Sequence, residues 1–285
     1  MLARLFTRLI DYNQGWAKPL GDFYIRVLQP SFRAVWPLKD FLNGKWLGHS
    51  LHGAITDLAI GALLSVSVLD VLGFAAAADA LLLFGLVAMV AAAVSGIADY
   101  TDTDGLARTR ATVHNTVMII TLVVYVVSLV IRLAAPADRA PAVVTALVAA
   151  ILLTVGAYVG GEVVYALGNM IDRHAWRSGP GDWVGLDLSV VGEGVPARVM
   201  AGEQALLVVR HGETVYAMDE ICAHAGAPLS EGKVVDDQIQ CPWHGSRYEL
   251  STGYKKRGPT TFDQPTYEVR QTGAGSYEAR LVTKR

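Results

Sequence analysis

The chain has 285 residues, a formal net charge of −2, 52% hydrophobic residues and 18% charged ones. A mean hydropathy of +0.35 is too apolar for an ordinary soluble protein, and the near balance of charge gives no reason to expect a nucleic-acid partner. Residues beyond Asp182 read as ordinary globular sequence, so the apolar excess lies before them.

Residues 1–45 carry Arg4, Arg8, Lys18, Arg26, Arg33, Lys39 and Lys45 among aromatics and three prolines. No long apolar core follows the first positive charges, which does not fit a cleaved signal peptide. Leu2, Leu5, Phe6, Leu9 and Ile10 could line one face of a short helix on a membrane surface, and a plain basic tail fits equally well. Residues 46–172 follow as a transmembrane domain with windows at 51–73, 78–98, 113–133 and 142–167. Each holds roughly 20 residues or more with hardly any Lys or Arg, enough to cross about 30 Å of hydrocarbon. A buried soluble core would need polar stripes at helical spacing, and these windows are mostly apolar all round.

Lys and Arg set the orientation. The N-terminal segment, Arg108 and Arg110, and Arg173 and Arg177 fall on one side, with only Arg132 and Arg139 on the other. The positive-inside rule puts both ends in the cytoplasm of a bacterial inner membrane. On that topology His52, Asp99, His114 and Glu162 come out at the cytoplasmic level, directly beneath the C-terminal domain. Ionisable groups at such positions usually mark a functional interior. His52 and His114 could hold a b-type haem from both sides; a quinone or another metal could sit there instead, or both histidines could be plain interfacial residues bonded to water or Asp99. His49 shares nearly the same predicted helix face as His52, which leaves the ligand choice open. Gly53, Gly61 and Ser65 flank Asp57 at four-residue spacing, and Gly156 stands four before Gly160, so close helix approach is expected at both places.

Four runs, HGAITDLAIGALLSVSVLD, GIADY, RATVHN and YVGGEVVYALG, resemble a family of four-helix bacterial membrane domains of unknown function over residues 47–172. The resemblance implies a location and a helix count but no chemistry.

Residues 173–181, RHAWRSGPG, read as a short basic linker allowing limited swing. In residues 182–285, short runs such as ALLVV, TVYAM and VVDDQIQ, separated by HGET and EGK, predict a small antiparallel barrel or sandwich. Both cysteines of the chain lie here, each followed closely by a histidine: Cys222 and His224 in ICAHAGAPL, Cys241 and His244 in CPWHGSRYEL. Two thiolates for one iron and two imidazoles for the other make a 2Fe-2S site; the same set could hold zinc. Gly226, Pro228 and Leu229 after the first pair, and Pro242, Trp243 and Gly245 around the second, favour two short loops around a cluster. Gly258 and Pro259 could supply a third.

These residues resemble the Rieske family over about the last hundred residues. The resemblance implies that Cys222 and Cys241 bind the buried iron, and that His224 and His244 bind the outer iron, where partners exchange electrons. Ser246 and Tyr248 match hydroxyls that donate to cluster sulfurs in high-potential members and raise the potential, although Tyr248 could instead pack under the loop with its hydroxyl free. Ala225 and Trp243 stand where a bracing disulfide would need cysteines, as suits a reducing compartment. A Rieske terminal oxygenase would need a mononuclear iron site on two histidines and a carboxylate, and no histidine follows His244. The expected fold class is a membrane α-helical bundle of four transmembrane helices plus an all-β Rieske-type domain. The expected function is electron transfer between donor and acceptor proteins or quinone, with a redox or iron sensor, or an accessory subunit of a larger respiratory or oxygenase complex, as the alternatives.

Overall fold

The computed structural model describes residues 7–8, 10–176 and 179–282. Leu2, Leu5, Phe6 and Leu9 of the expected surface helix, with Arg4 and Arg177, lie outside them. The chain forms two compact units. One is built mainly from residues up to Asn169, the other from Met170–Arg285 with Lys39–Phe41 and Lys45–His49. Residues 170–172, read above as the end of the membrane part, therefore group with the β unit.

The first unit contains α1 (Gln14–Ala34), α3 (Leu51–Val71), α4 (Ala75–Tyr100), α5 (Gly105–Ala134) and α6 (Ala140–Gly161), with α6 running on into a π-helical turn, Glu162–Ala166; α2 (Trp36–Leu42) precedes α3. Among the described residues, α3, α4, α5 and α6 with its π turn are long and apolar enough to cross a membrane, and they match the four windows. Their interior is filled by small or slim side chains such as Ala59, Leu63, Leu82, Ala146 and Ala149, whereas Val71, Phe84, Val87, Leu133 and Ile151 point outward.

Helix α1 was not foreseen. It runs through Pro19 and Pro30, each of which weakens an isolated helix, so tertiary contacts must hold it. At Gly21 an added Cβ would lie 2.6 Å from Thr112 Oγ1 and 3.0 Å from the Tyr100 hydroxyl, and Ile10 and Ala17 pack with Val113 and Val159. Arg108 pairs with Asp22 at 2.9 Å, and Arg110 with Asp11 and Glu162, each at 3.2 Å. Much of the basic N-terminal stretch is thus a packed helix, and Asp22 on it and Asp11 just before it meet arginines in the first turns of α5.

Two local expectations change. Ser50 caps α3, its Oγ accepting from Gly53 N at 3.3 Å and donating to Asp99 Oδ2 at 2.7 Å. His49 therefore precedes the helix and does not share a face with His52. Gly53 and Gly61 have no atom within 4 Å of an added Cβ and, like Asp57, face outward, so no helix approaches there. Close approaches occur instead at Gly85, where a Cβ would meet Leu63 at 2.7 Å, and at Gly156, where it would meet Met118 Sδ at 2.5 Å, among other glycines.

The second unit is a closed antiparallel barrel with strand order β1-β10-β9-β4-β3-β2, and beside it a four-stranded sheet, β5-β6-β7-β8. The strands are β1 (Val184–Leu186), β2 (Ala197–Ala201), β3 (Gln204–His211), β4 (Thr214–Asp219), β5 (Lys233–Val235), β6 (Gln238–Gln240), β7 (Arg247–Glu249), β8 (Lys255–Arg257), β9 (Thr266–Gly273) and β10 (Ser276–Leu281). The apolar run ALLVV explains how one strand serves both layers. Successive side chains of β3 point to opposite faces: Leu206 and Val208 enter the barrel core, while Leu207 and Val209 enter a second core with Cys222, Ile239, Cys241 and Tyr248. Each such burial contributes roughly 1.5–3 kcal/mol, so β3 ties the cysteine-bearing layer to the barrel.

Candidate metal centre

Two loops of like construction carry the four candidate ligands. In the first, between β4 and β5, Cys222 N donates to Ala227 O at 2.8 Å; in the second, between β6 and β7, Cys241 N donates to Ser246 O at 2.8 Å. A glycine with positive φ stands just before each closing residue, Gly226 at +86° and Gly245 at +78°, where other residues would be strained. Each loop so presents a cysteine at its start and a histidine at its middle, and Pro228 holds the far side of the first loop by bridging to Ile221. A third segment lies against the second loop: a Cβ at Gly258 would fall 2.4 Å from Ser246 Cα. Gly258 N donates to Asp40 Oδ1 at 3.1 Å, and Lys45 pairs with Asp40 at 3.0 Å, all within this unit.

Several bracing residues escaped the sequence. Gln264 Nε2 donates to Asp219 O and Ile221 O, both at 2.7 Å, while its Oε1 accepts from Ala223 N at 3.0 Å. His174 Nε2 lies 2.7 Å from Ile221 O, and Arg173 N donates to Ala223 O at 3.3 Å. The start of the expected linker is therefore part of the β unit. Nothing in the run QPTYEV or in RHAW marks these roles.

The donors meet two by two. Cys222 and Cys241 are buried free thiols, and the His224 and His244 rings lie 5.0 Å apart at 82°. Among the described residues, no three His, Cys, Asp or Glu side chains gather around one point, as a tetrahedral zinc ion would require. A binuclear centre with two thiolates on one iron and two imidazoles on the other suits this arrangement. The surroundings fit as well. The Tyr248 hydroxyl lies 3.2 Å from Cys222 Sγ, and Ser246 Oγ is buried without a partner among the described residues. A buried hydroxyl left unsatisfied costs about 1–3 kcal/mol, which a sulfur acceptor at this place would offset.

The two thiols of the loops differ in proton affinity, as two sulfurs sharing one proton do. Burial raises that of Cys222, but hydrogen bonds from Cys241 and Tyr248, with backbone amides, outweigh it and bring the thiol to about 7. Cys241 is pushed the other way, by its hydrogen bond to Cys222 and then by burial. His224 is held well below the usual imidazole value, by burial first and then by neighbouring positive charge including His244, which keeps it in the neutral form that binds metal.

A family model of the Rieske [2Fe-2S] domain matches residues 184–268. Over 78 residues the chain is 37% identical to the ferredoxin subunit of anthranilate 1,2-dioxygenase from Burkholderia cepacia, covering 27% of this chain and 72% of that protein. The chain belongs to the Rieske family. It is also 38% identical, over 28% of its length and 74% of the relative, to the ferredoxin component of the naphthalene 1,2-dioxygenase/salicylate 5-hydroxylase systems of a Ralstonia species. The solved ferredoxin of carbazole 1,9a-dioxygenase from Nocardioides aromaticivorans IC177 is 28% identical, with coverage of 34% and 96% and a TM-score of 0.32.

A Rieske domain implies a 2Fe-2S cluster, which supplies one-electron transfer. The two histidines of this Rieske site are not equivalent. His224 is only 4% exposed, enclosed by Met170, Pro259, Thr260, Thr261 and Phe262, whereas His244 is half-buried beside Trp243, itself 49% exposed. The accessible edge is therefore that of His244, where both imidazoles were expected to face partners. Tyr248→Phe tests the hydroxyl on Cys222. If its hydrogen bond strengthens by about 1 kcal/mol on one-electron reduction, the variant's midpoint potential should fall by roughly 40 mV in a redox titration.

The four polar residues expected at one level of the helical unit have different partners. The His52 and His114 rings lie 6.3 Å apart, but Asp99 is engaged by Ser50 and Glu162 by Arg110.

Proposed function

We propose that the chain is a membrane-held electron carrier whose cluster is bound by Cys222 and Cys241 on one iron and by His224 and His244 on the other. The pairing of buried thiols with a separate pair of imidazoles, under the Tyr248 and Ser246 hydroxyls, is the observation that carries this reading. Membrane residence is supported by four long apolar helices with small side chains inside and bulky apolar ones outside, a packing suited to lipid. The excess of Lys and Arg at the N-terminal segment, at Arg108 and Arg110, and after α6 favours a bacterial inner membrane with the Rieske unit in the cytoplasm. A reporter fused after Arg285 should then behave as cytoplasmic, and an exported reporter would contradict that orientation.

The relatives are ferredoxin components of dioxygenase systems, so the partners proposed here are a reductase that donates electrons and an oxygenase that accepts them, docking at the edge formed by His244 and Trp243. The test is turnover. With NADH and a ferredoxin reductase, the full chain should be reduced and then reoxidised repeatedly once an oxygenase component is supplied. A cluster that changes state once and does not cycle would favour the sensor reading.

A further inference from the structure

We infer that His52 and His114 are the two axial ligands of one haem in the helical unit, an extension that rests on the electron-carrier reading for its purpose but not for its chemistry. The helices form two hairpins, α3 with α4 and α5 with α6, which meet through α4 with α5 and α3 with α6. Across the unit, three pairs of residues join α3 to α5. His52 faces His114 at 6.3 Å, the Tyr125 hydroxyl donates to Leu63 O at 3.2 Å, and Arg132 Nη1 donates to Asp70 Oδ1 at 3.0 Å. The same interval along the chain separates the two members of every pair. α3 and α5 therefore face each other in one register, with the histidines at one end.

Both imidazoles are set alike. His52 Nδ1 lies 2.8 Å from Ala92 O on α4, and His114 Nδ1 lies 2.8 Å from Gly156 O on α6. A carbonyl only accepts, so each Nδ1 carries the proton and each Nε2 keeps its lone pair. Four residues beyond each carbonyl stands a glycine. A Cβ at Gly96 would fall 2.8 Å from His52 Nδ1, and one at Gly160 would fall 2.9 Å from His114 Cε1. The missing side chains let the rings reach the carbonyls. A metal-binding histidine is commonly oriented in this way, by a hydrogen bond from its other nitrogen. Both residues are half-buried.

The kind of ligand follows from what is not beside them. Among the described residues no third His, Cys, Asp or Glu joins the pair, whereas a zinc ion takes three or four protein ligands. A haem brings four nitrogens of its own and needs only two from the protein. With both axial positions filled, such a haem has no open place for dioxygen and is suited to passing single electrons.

The experiment uses the full chain in detergent, titrated with hemin and also purified from haem-fed cells. One haem per chain is expected, with the reduced spectrum of a six-coordinate low-spin b-type centre. His52→Ala and His114→Ala should each weaken hemin binding at least tenfold, and Gly96→Leu or Gly160→Leu should weaken it with both ligands still present. His114→Met should retain haem with an altered spectrum and a higher potential, which shows that the fold survives change at this position. The proposal is overturned if hemin binds no better than to a detergent blank while the iron-sulfur signal is intact, if the alanine variants bind it as well as the parent, or if quinone is extracted where haem is absent. Haem bound in a chain lacking the iron-sulfur signal would instead sink the carrier reading and leave this site standing.

Discussion

Cys222→Ser should reduce the acid-labile sulfide of the purified chain from about two per molecule to background and abolish the signal of the reduced cluster. The Cys222 sulfur sits in the second core against Ile239 and Tyr248, and it is both a proposed iron ligand and the acceptor of the Tyr248 hydroxyl at 3.2 Å. Serine lacks the soft thiolate that holds iron and sulfide, and no other cysteine besides Cys241 exists in the chain to take its place. Because the binding energy of a cluster adds to folding energy, the variant should also unfold at a lower temperature. Cys241→Ser should behave in the same way. By contrast, His244→Cys should leave a cluster of lower potential or none, since an anionic thiolate replaces a neutral imidazole. Retention of full iron and sulfide in either serine variant would remove the cysteines from the site.

Arg132→Met should destabilise the helical unit by about 3 kcal/mol, at the low end of the range for breaking a buried ion pair. The Arg132 and Asp70 side chains are 2% and 1% exposed, and Arg132 also reaches Asp79 at 2.7 Å. Removing the guanidinium leaves a buried carboxylate with, among the described residues, Arg139 at 3.5 Å for compensation. Replacing both Arg132 and Asp70 by apolar residues should recover much of the loss, because the desolvation of both charges then disappears. Thermal unfolding in detergent, followed by helical circular dichroism, reads both effects. A double variant no more stable than Arg132→Met would mean that packing rather than charge dominates there.

The sequence was most legible where residue type dictates chemistry. Two cysteines each with a near histidine, spaced by small turn residues, marked the Rieske loops, and four mostly apolar windows marked α3 to α6. The strand runs revealed a barrel-like unit, but not that β3 serves two cores, because alternation within a wholly apolar run has no polar partner to display it. Long-range pairing stayed hidden. Helix α1 contains two prolines and depends on contacts with α4 and α5, so its local sequence argued against it. Gln264 and His174 act on the first cluster loop through backbone atoms far along the chain, and such bonds leave no motif. The glycine spacing was read correctly at Gly156 and Gly160 and wrongly at Gly53 and Gly61, since spacing alone does not say which face meets a neighbour. The shared register of His52 with His114, Leu63 with Tyr125 and Asp70 with Arg132 is visible only once the pairs are seen in space, because their side chains differ in two of the three.

Metal analysis of the purified full chain, joined to electron paramagnetic resonance after reduction, tests the central claim most directly. About two irons and two labile sulfides per chain, with the low average g value of a cluster bound by both histidine and cysteine, are the predicted result. Stoichiometric zinc without iron, or a cluster with the spectrum of an all-cysteine site, would contradict it.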